Sequence, residues 1–202
     1  LTNGTNYIVR IVNVGANDMT LTSLCITGPV TAPSNDDPTG ATPIVTSASC
    51  SYTTFTNVGA TGSTCGTIPA PGCASYSSQD VWFSVTVPAS GAISFDSQTG
   101  TMTDGGMAVY SGTPCGVLTL LGCDDDNSAN GSMPSLSVSG QTPGATLYIR
   151  FWDYGGGTGT FGLCATSVTP PSNDNCSGAT AFPAVPTNGT CSNLNNQSTA
   201  NA

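Results

Sequence analysis

Four consecutive residues with oxygen-bearing side chains, Asp124, Asp125, Asp126 and Asn127, form the densest polar cluster in this 202-residue chain. Adjacent carboxylates repel one another, and no Lys or Arg lies near them in sequence to offset the charge. Segments 106–112 and 117–123 read as the two strands of a hairpin turning near Cys115, which sets Asp104 opposite Asp125 or Asp126 at its open end. Oxygen ligands converging from two strand ends suit Ca²⁺, which takes about 6–8 of them. The cluster is therefore a candidate calcium site, with a solvated acidic loop as the plainer alternative.

Catalysis has little to work with. The chain has eleven Asp and two Arg but no His, Lys or Glu. General acid–base work would fall to aspartates, and nothing in their spacing sets a pair across a cleft. The many serines have no visible activating base. The expectation is a protein without enzymatic activity.

Three further groups invite a functional reading. Tyr148, Arg150 and Trp152 alternate on one strand face, and such a set packs internally or offers a platform to a glycan. Packing is the expectation here. Asn35, Asp36 and Asp37, echoed by Asn173 and Asp174, fall where one repeat joins the next. They serve local Asx turns or share a cation across the junction, and turn chemistry is preferred. Nine cysteines without metal-type spacing point to an oxidising, extracellular setting. Cys65 and Cys73 bracket a Pro/Gly-rich loop that closes easily. Cys176 and Cys191 enclose a loop whose closure is worth roughly 3 kcal/mol in the chain-entropy model. Cys115 and Cys123 conflict with a strand between them. A straight strand holds their Cα atoms ~20 Å or more apart, and a disulfide needs less than ~7 Å. Cys50 pairs with Cys164 inside one unit, or with Cys25 across two.

The elements behind these residues are short strands. Lys and Glu are absent while Thr, Ser, Val, Gly and Asn abound, a composition of strands and turns. Candidate strands span 42–48, 51–58, 79–87, 91–97, 106–112, 117–122, 134–139, 146–153 and 159–168. In the run VWFSVTV, Val81, Phe83, Val85 and Val87 alternate with Trp82, Ser84 and Thr86, the period of a half-buried strand. The fold class is all-β, an antiparallel, jelly-roll-like β-sandwich. A net charge of −9 disfavours nucleic acid. No apolar run of ~20 residues is available to span a bilayer.

The chain also repeats itself. PSNDDPTGAT at 33–42 returns as PSNDNCSGAT at 171–180, and LTNGTNYIVRIVNVG at 1–15 aligns with QTPGATLYIRFWDYG at 141–155, superposing Arg10 on Arg150. This register divides the chain into the end of one repeat (1–28), a complete repeat (33–168) and the start of a third (171–202). The joins GPVTAP and VTPP are short and proline-bearing, hence stiff.

The segments QDVWFSVTVPASGAISFDS, TDGGMAVYSGTPCGVLTLLGCDDD and TPGATLYIRFWDYGGGTGTFGL resemble the pre-peptidase C-terminal type of bacterial β-sandwich. The opener resembles tandem repeats in large secreted surface proteins of gliding bacteria, many exported by the type IX route. The resemblance implies a bond between Cys115 and Cys123, which that family carries together, and a structural or adhesive repeat of an extracellular stalk or filament. Its partners would be neighbouring repeats, other copies in a filament, and glycans. A carbohydrate- or protein-binding accessory module of a secreted hydrolase is the alternative. Pro38, where the later opener has Cys176, departs from a uniform disulfide scheme.

Overall fold

A computed structural model describes residues 30–167, with isolated positions near the start (6, 8–10 and 12). The proposed flanking repeats, with Cys25, Asn173, Asp174, Cys176 and Cys191, lie outside the described residues, apart from the isolated positions near the start that include Arg10.

Ten strands follow a short 3₁₀ turn at Pro38–Gly40. They are β1 (Thr42–Pro43), β2 (Thr46–Ser47), β3 (Thr53–Thr56), β4 (Val81–Thr86), β5 (Ile93–Thr99), β6 (Gly105–Gly112), β7 (Leu118–Asp124), β8 (Ser135–Val138), β9 (Thr146–Asp153) and β10 (Thr160–Thr166). One sheet runs β1-β4-β9-β6-β7. The other runs β2-β10-β5-β8, with β3 also paired to β10. The chain is a β-sandwich, as the strand pattern predicts. Its sheets are mixed rather than purely antiparallel, because the short β1 and β2 lie parallel to β4 and β10.

The core between the sheets comes from the period-two residues. Phe83, Val85, Val109, Ile149 and Phe151 of the first sheet meet Ile93, Phe95, Phe161 and Leu163 of the second. Phe151 stacks on Phe161 at 4.0 Å, and Phe83 meets Phe161 edge-on. Burying each such side chain contributes about 1.5–3 kcal/mol.

The half-buried reading of β4 needs correction on its outer face. Trp82 is fully buried, as are Ala108, Tyr110 and Trp152 on the neighbouring strands. They form a second apolar cluster against Ile68, Ala74 and Tyr76. Those three residues belong to a long connection, residues 57–80, that folds back over the outside of the first sheet. We call this connection the strap. A loop of this length without strands of its own is uncommon in a compact domain.

The disulfides hold the strap. Cys65 bonds Cys115, Cys73 bonds Cys123, and each pair has a sequence separation of 50. Residues 65–73 therefore run parallel to β7 and in step with it. A parallel bridge joins Thr67 to Val117, with Thr67 N–H donating to the Gly116 carbonyl at 2.8 Å and Leu118 N–H to the Thr67 carbonyl at 3.2 Å. The local closures Cys65–Cys73 and Cys115–Cys123 do not form. The reason is the geometric conflict already visible in the sequence: 118–124 is a strand, so Cys115 and Cys123 sit too far apart to bond. The strap also covers the edge of the sheet at β7, which otherwise presents unpaired backbone groups. Cys50 bonds Cys164, tying the β2–β3 loop to β10.

Candidate functional site

The acidic cluster divides into two. Asp124 ends β7 and is buried. Its carboxylate accepts from the backbone N–H of Asn127 (3.1 Å), the Asn127 side-chain amide and the backbone N–H of Ser135 (2.8 Å). Asp124 and Asn127 are thus occupied in shaping the β7–β8 turn and leave the proposed ligand set. The remaining members converge. One carboxylate oxygen from each of Asp104, Asp125 and Asp126 lies within 4.8 Å of the others. Asp104 is fixed just before β6 by backbone bonds on both sides, Gly105 N–H to the Ser132 carbonyl and Tyr154 N–H to its own carbonyl.

The electrostatics of this trio are unfavourable as they stand. Burial, then the charges of Asp126 and Asp153, push the Asp104 carboxyl above the usual carboxylate range. Burial, then Asp126, Asp104 and Asp124, do the same to Asp125. One oxygen of Asp125 is buried with no hydrogen-bond partner. Oxygens around a single Ca²⁺, each at about 2.3–2.6 Å, stand no more than ~5 Å apart, and the trio meets that limit.

Beneath the strap lies the opposite arrangement. Asp80 is fully buried and accepts five hydrogen bonds: from Ser63 N–H (3.2 Å) and its hydroxyl (2.5 Å), the Tyr76 hydroxyl (2.8 Å), Trp82 Nε1 (2.9 Å) and Arg150 Nε (2.9 Å). Arg150 sits 3.8 Å from the Tyr76 ring centroid and 5.4 Å from that of Trp82. Burial lowers the guanidinium pKa, but Asp80's charge and hydrogen bond outweigh it, so Arg150 is held firmly in its charged form. Burial and the Asp80 charge push the Tyr76 phenol well above its ordinary range.

This arrangement removes the glycan platform. Trp152 is fully buried and Arg150 is 4 % exposed, and Tyr148 alone of the three is partly exposed, so they do not form a joint platform. The cause is the strap, which the alternation within β9 does not reveal. Gly106, paired with Trp152 across β6 and β9, completes the fit, because a Cβ there would run into the indole.

The opener is also resolved. Asn35 exchanges bonds with the Trp82 backbone in both directions, at 3.0 and 2.8 Å. Asp36 accepts from Thr61 N–H and its hydroxyl, and Asp37 accepts from Thr64 N–H. A Cβ on Gly40 would overlap the Ser34 carbonyl oxygen. The opener thus locks the strap from within its own unit. Asn35, Asp36 and Asp37 each bond within the domain, which favours a local role over a cation shared across the junction. Asp80 and the strap are the functional residues that sequence reasoning missed. The nearest signal was the four closely spaced polar residues Tyr76 to Gln79 before VWFSVTV, which mark a segment returning to the sheet.

No family model matches the chain, and no curated protein does. Among solved structures, the pre-peptidase C-terminal domain of a collagenase from Bacillus anthracis is similar at 12% identity. The match covers 62% of this chain and 94% of that one, with a TM-score of 0.38. Among the described residues, no helix is long and apolar enough to cross a membrane.

Proposed function

We propose that residues 33–168 are a non-catalytic structural module of an extracellular or cell-surface protein. Modules of this kind, joined in tandem, build a stalk or filament, and each is stiffened by Ca²⁺ bound at Asp104, Asp125 and Asp126. The observation that carries this reading is the opener. Asn35, Asp36 and Gly40 each have a task inside the unit, and the same residue types recur as Asn173, Asp174 and Gly178. A phrase that closes one module and then reappears suits a chain of modules. Three disulfides with separations of 50 to 114 suit an oxidising exterior. The absence of His, Lys and Glu from the sequence agrees with a role that involves no proton transfer.

Calcium would neutralise the trio and give the orphaned Asp125 oxygen a partner. If it binds the folded state alone, stabilisation reaches about 2.7 kcal/mol at a hundredfold excess over Kd. Thermal melts in chelator and in millimolar Ca²⁺ test the metal, and identical melts would remove it. Small-angle scattering on three successive repeats tests the array. A preferred extension is expected, and a freely jointed distribution of angles would end the stalk reading.

A further inference from the structure

The Asp80–Arg150 pair occupies only one edge of the guanidinium. Arg150 Nε donates to Asp80. At the Nη end the Tyr110 phenol oxygen is the acceptor within reach among the described residues, which leaves most of the Nη hydrogens without a protein partner. That phenol gives its own proton to the Pro69 carbonyl at 3.1 Å and keeps its lone pairs for Arg150. The guanidinium lines a cleft of about 320 Å³ between strap and sheet, near the lower end of the ~300–1,000 Å³ usual for small-molecule sites. The peptide N–H groups of Cys65 and Gly66, on the cleft wall, also lack a protein acceptor among the described residues. Ile68 and Ala70 supply an apolar wall, and Tyr76 an aromatic one. Donors outnumber acceptors, and the donor left over is a fork.

We infer that this cleft binds the carboxylate of a small ligand, about the size of an amino acid or a monosaccharide, on the free edge of Arg150. A planar carboxylate matches two guanidinium N–H groups, and backbone N–H groups at a bend favour the same charge. A monoanion fits better than a dianion, because Asp80 already neutralises part of the guanidinium and the chain carries −9 overall.

The test uses the full chain with its disulfides intact, labelled with ¹⁵N. It is titrated at fixed ionic strength with N-acetylglycine and with glucuronate. Their uncharged counterparts, N-acetylglycinamide and glucose, and inorganic phosphate are titrated in parallel. Saturable shifts at the Cys65 and Gly66 amides and the Arg150 guanidinium are expected with at least one carboxylate. N-acetylglycine alone would mark an amino-acid or peptide-terminal source, and glucuronate alone an acidic sugar. No saturable shift with either carboxylate, or equal shifts with uncharged counterparts or phosphate, would overturn the inference. Ala70→Trp fills the exposed rim and is expected to weaken binding at least about tenfold with an unchanged melt. If that variant is itself destabilised, Ala70→Glu places a competing carboxylate at the same rim. Undiminished binding in the folded variant would place the ligand elsewhere and end the proposal.

Discussion

Two carboxylate centres sit on the same sheet and differ in almost every respect. Asp80 is deeper, yet it has five donors around it, one of them a guanidinium. Asp104, Asp125 and Asp126 are nearer solvent, yet they face one another with no cation among the described residues. Depth alone would rank Asp80 as the more costly charge. The donor count reverses that ranking. A buried carboxylate with complete partners organises its surroundings, and here it anchors the strap, Trp82 and Tyr76. A shallow cluster without such partners keeps its mutual repulsion, which raises the carboxyls of Asp104 and Asp125. Where a fold supplies its own cation the group is architecture, and where it supplies none the group is a candidate for a ligand.

The sharpest way to break this comparison is to remove the Asp80 charge. Asp80→Asn keeps the shape but leaves Arg150 buried without its counter-charge. A loss of about 3–5 kcal/mol is expected, since that is the usual cost of stranding one partner of a buried pair. Urea denaturation of the oxidised protein measures it. A loss below about 1 kcal/mol would put Asp80 in the class of exposed pairs and erase the contrast.

The strap's covalent anchor gives the next effect. Replacing both Cys73 and Cys123 by Ser opens a bridge of separation 50. The expected loss is about 2–4 kcal/mol, and Trp82 and Trp152 fluorescence should shift as the strap loosens over them. Peptide mapping under non-reducing conditions checks the pairing itself. Fragments linking Cys65 to Cys73, or Cys115 to Cys123, would show the strap to be closed on itself instead of on β7.

These expectations show what could be read from the sequence and what could not. Alternation in VWFSVTV, ISFDS and LYIRFW gave the strands and the inner core, because a period of two is a local property. The hairpin register brought Asp104 near Asp125 and Asp126 for the same reason. The separate duty of Asp124 was hidden, because it depends on Asn127 and Ser135 folding back in the turn. The strap was hidden more deeply. Residues 57–80 have no period, and their partners lie on β4, β6, β7 and β9. Besides the polar run Tyr76 to Gln79, the cysteine conflict hinted at them: a strand between Cys115 and Cys123 forces both to bond elsewhere. The resemblance to a family that carries both cysteines pointed to the wrong pair, because shared presence carries no information about pairing. Arg150 was expected to pack internally, but what it packs against could not be read, because its strand displays it outward and the cover arrives from a distant part of the chain.

The smallest effect separates the two centres by pH. Asp104 and Asp125 have native pKa values raised above the ordinary 3.8 by burial first and by neighbouring carboxylates second. Between the ordinary and the raised value, the metal-free native state therefore binds more protons than the unfolded state. Stability must then fall as pH rises through that window and recover as pH drops back through it. This sign is opposite to that of a carboxylate stabilised by a cation. Asp125→Asn removes one charge of the trio. In chelator the variant should be slightly more stable than the parent at neutral pH, by less than about 1 kcal/mol because solvent screens the cluster. The advantage should disappear as the solution is acidified toward the ordinary value. With Ca²⁺ the order should invert: the parent gains from the ion at neutral pH and loses that gain on acidification, as protons compete for its ligands. Paired melts of parent and variant over this pH range, with and without Ca²⁺, read both signs. A variant less stable than its parent in chelator would mean that Asp125 has a partner of its own, and the trio would then belong with Asp80 as architecture.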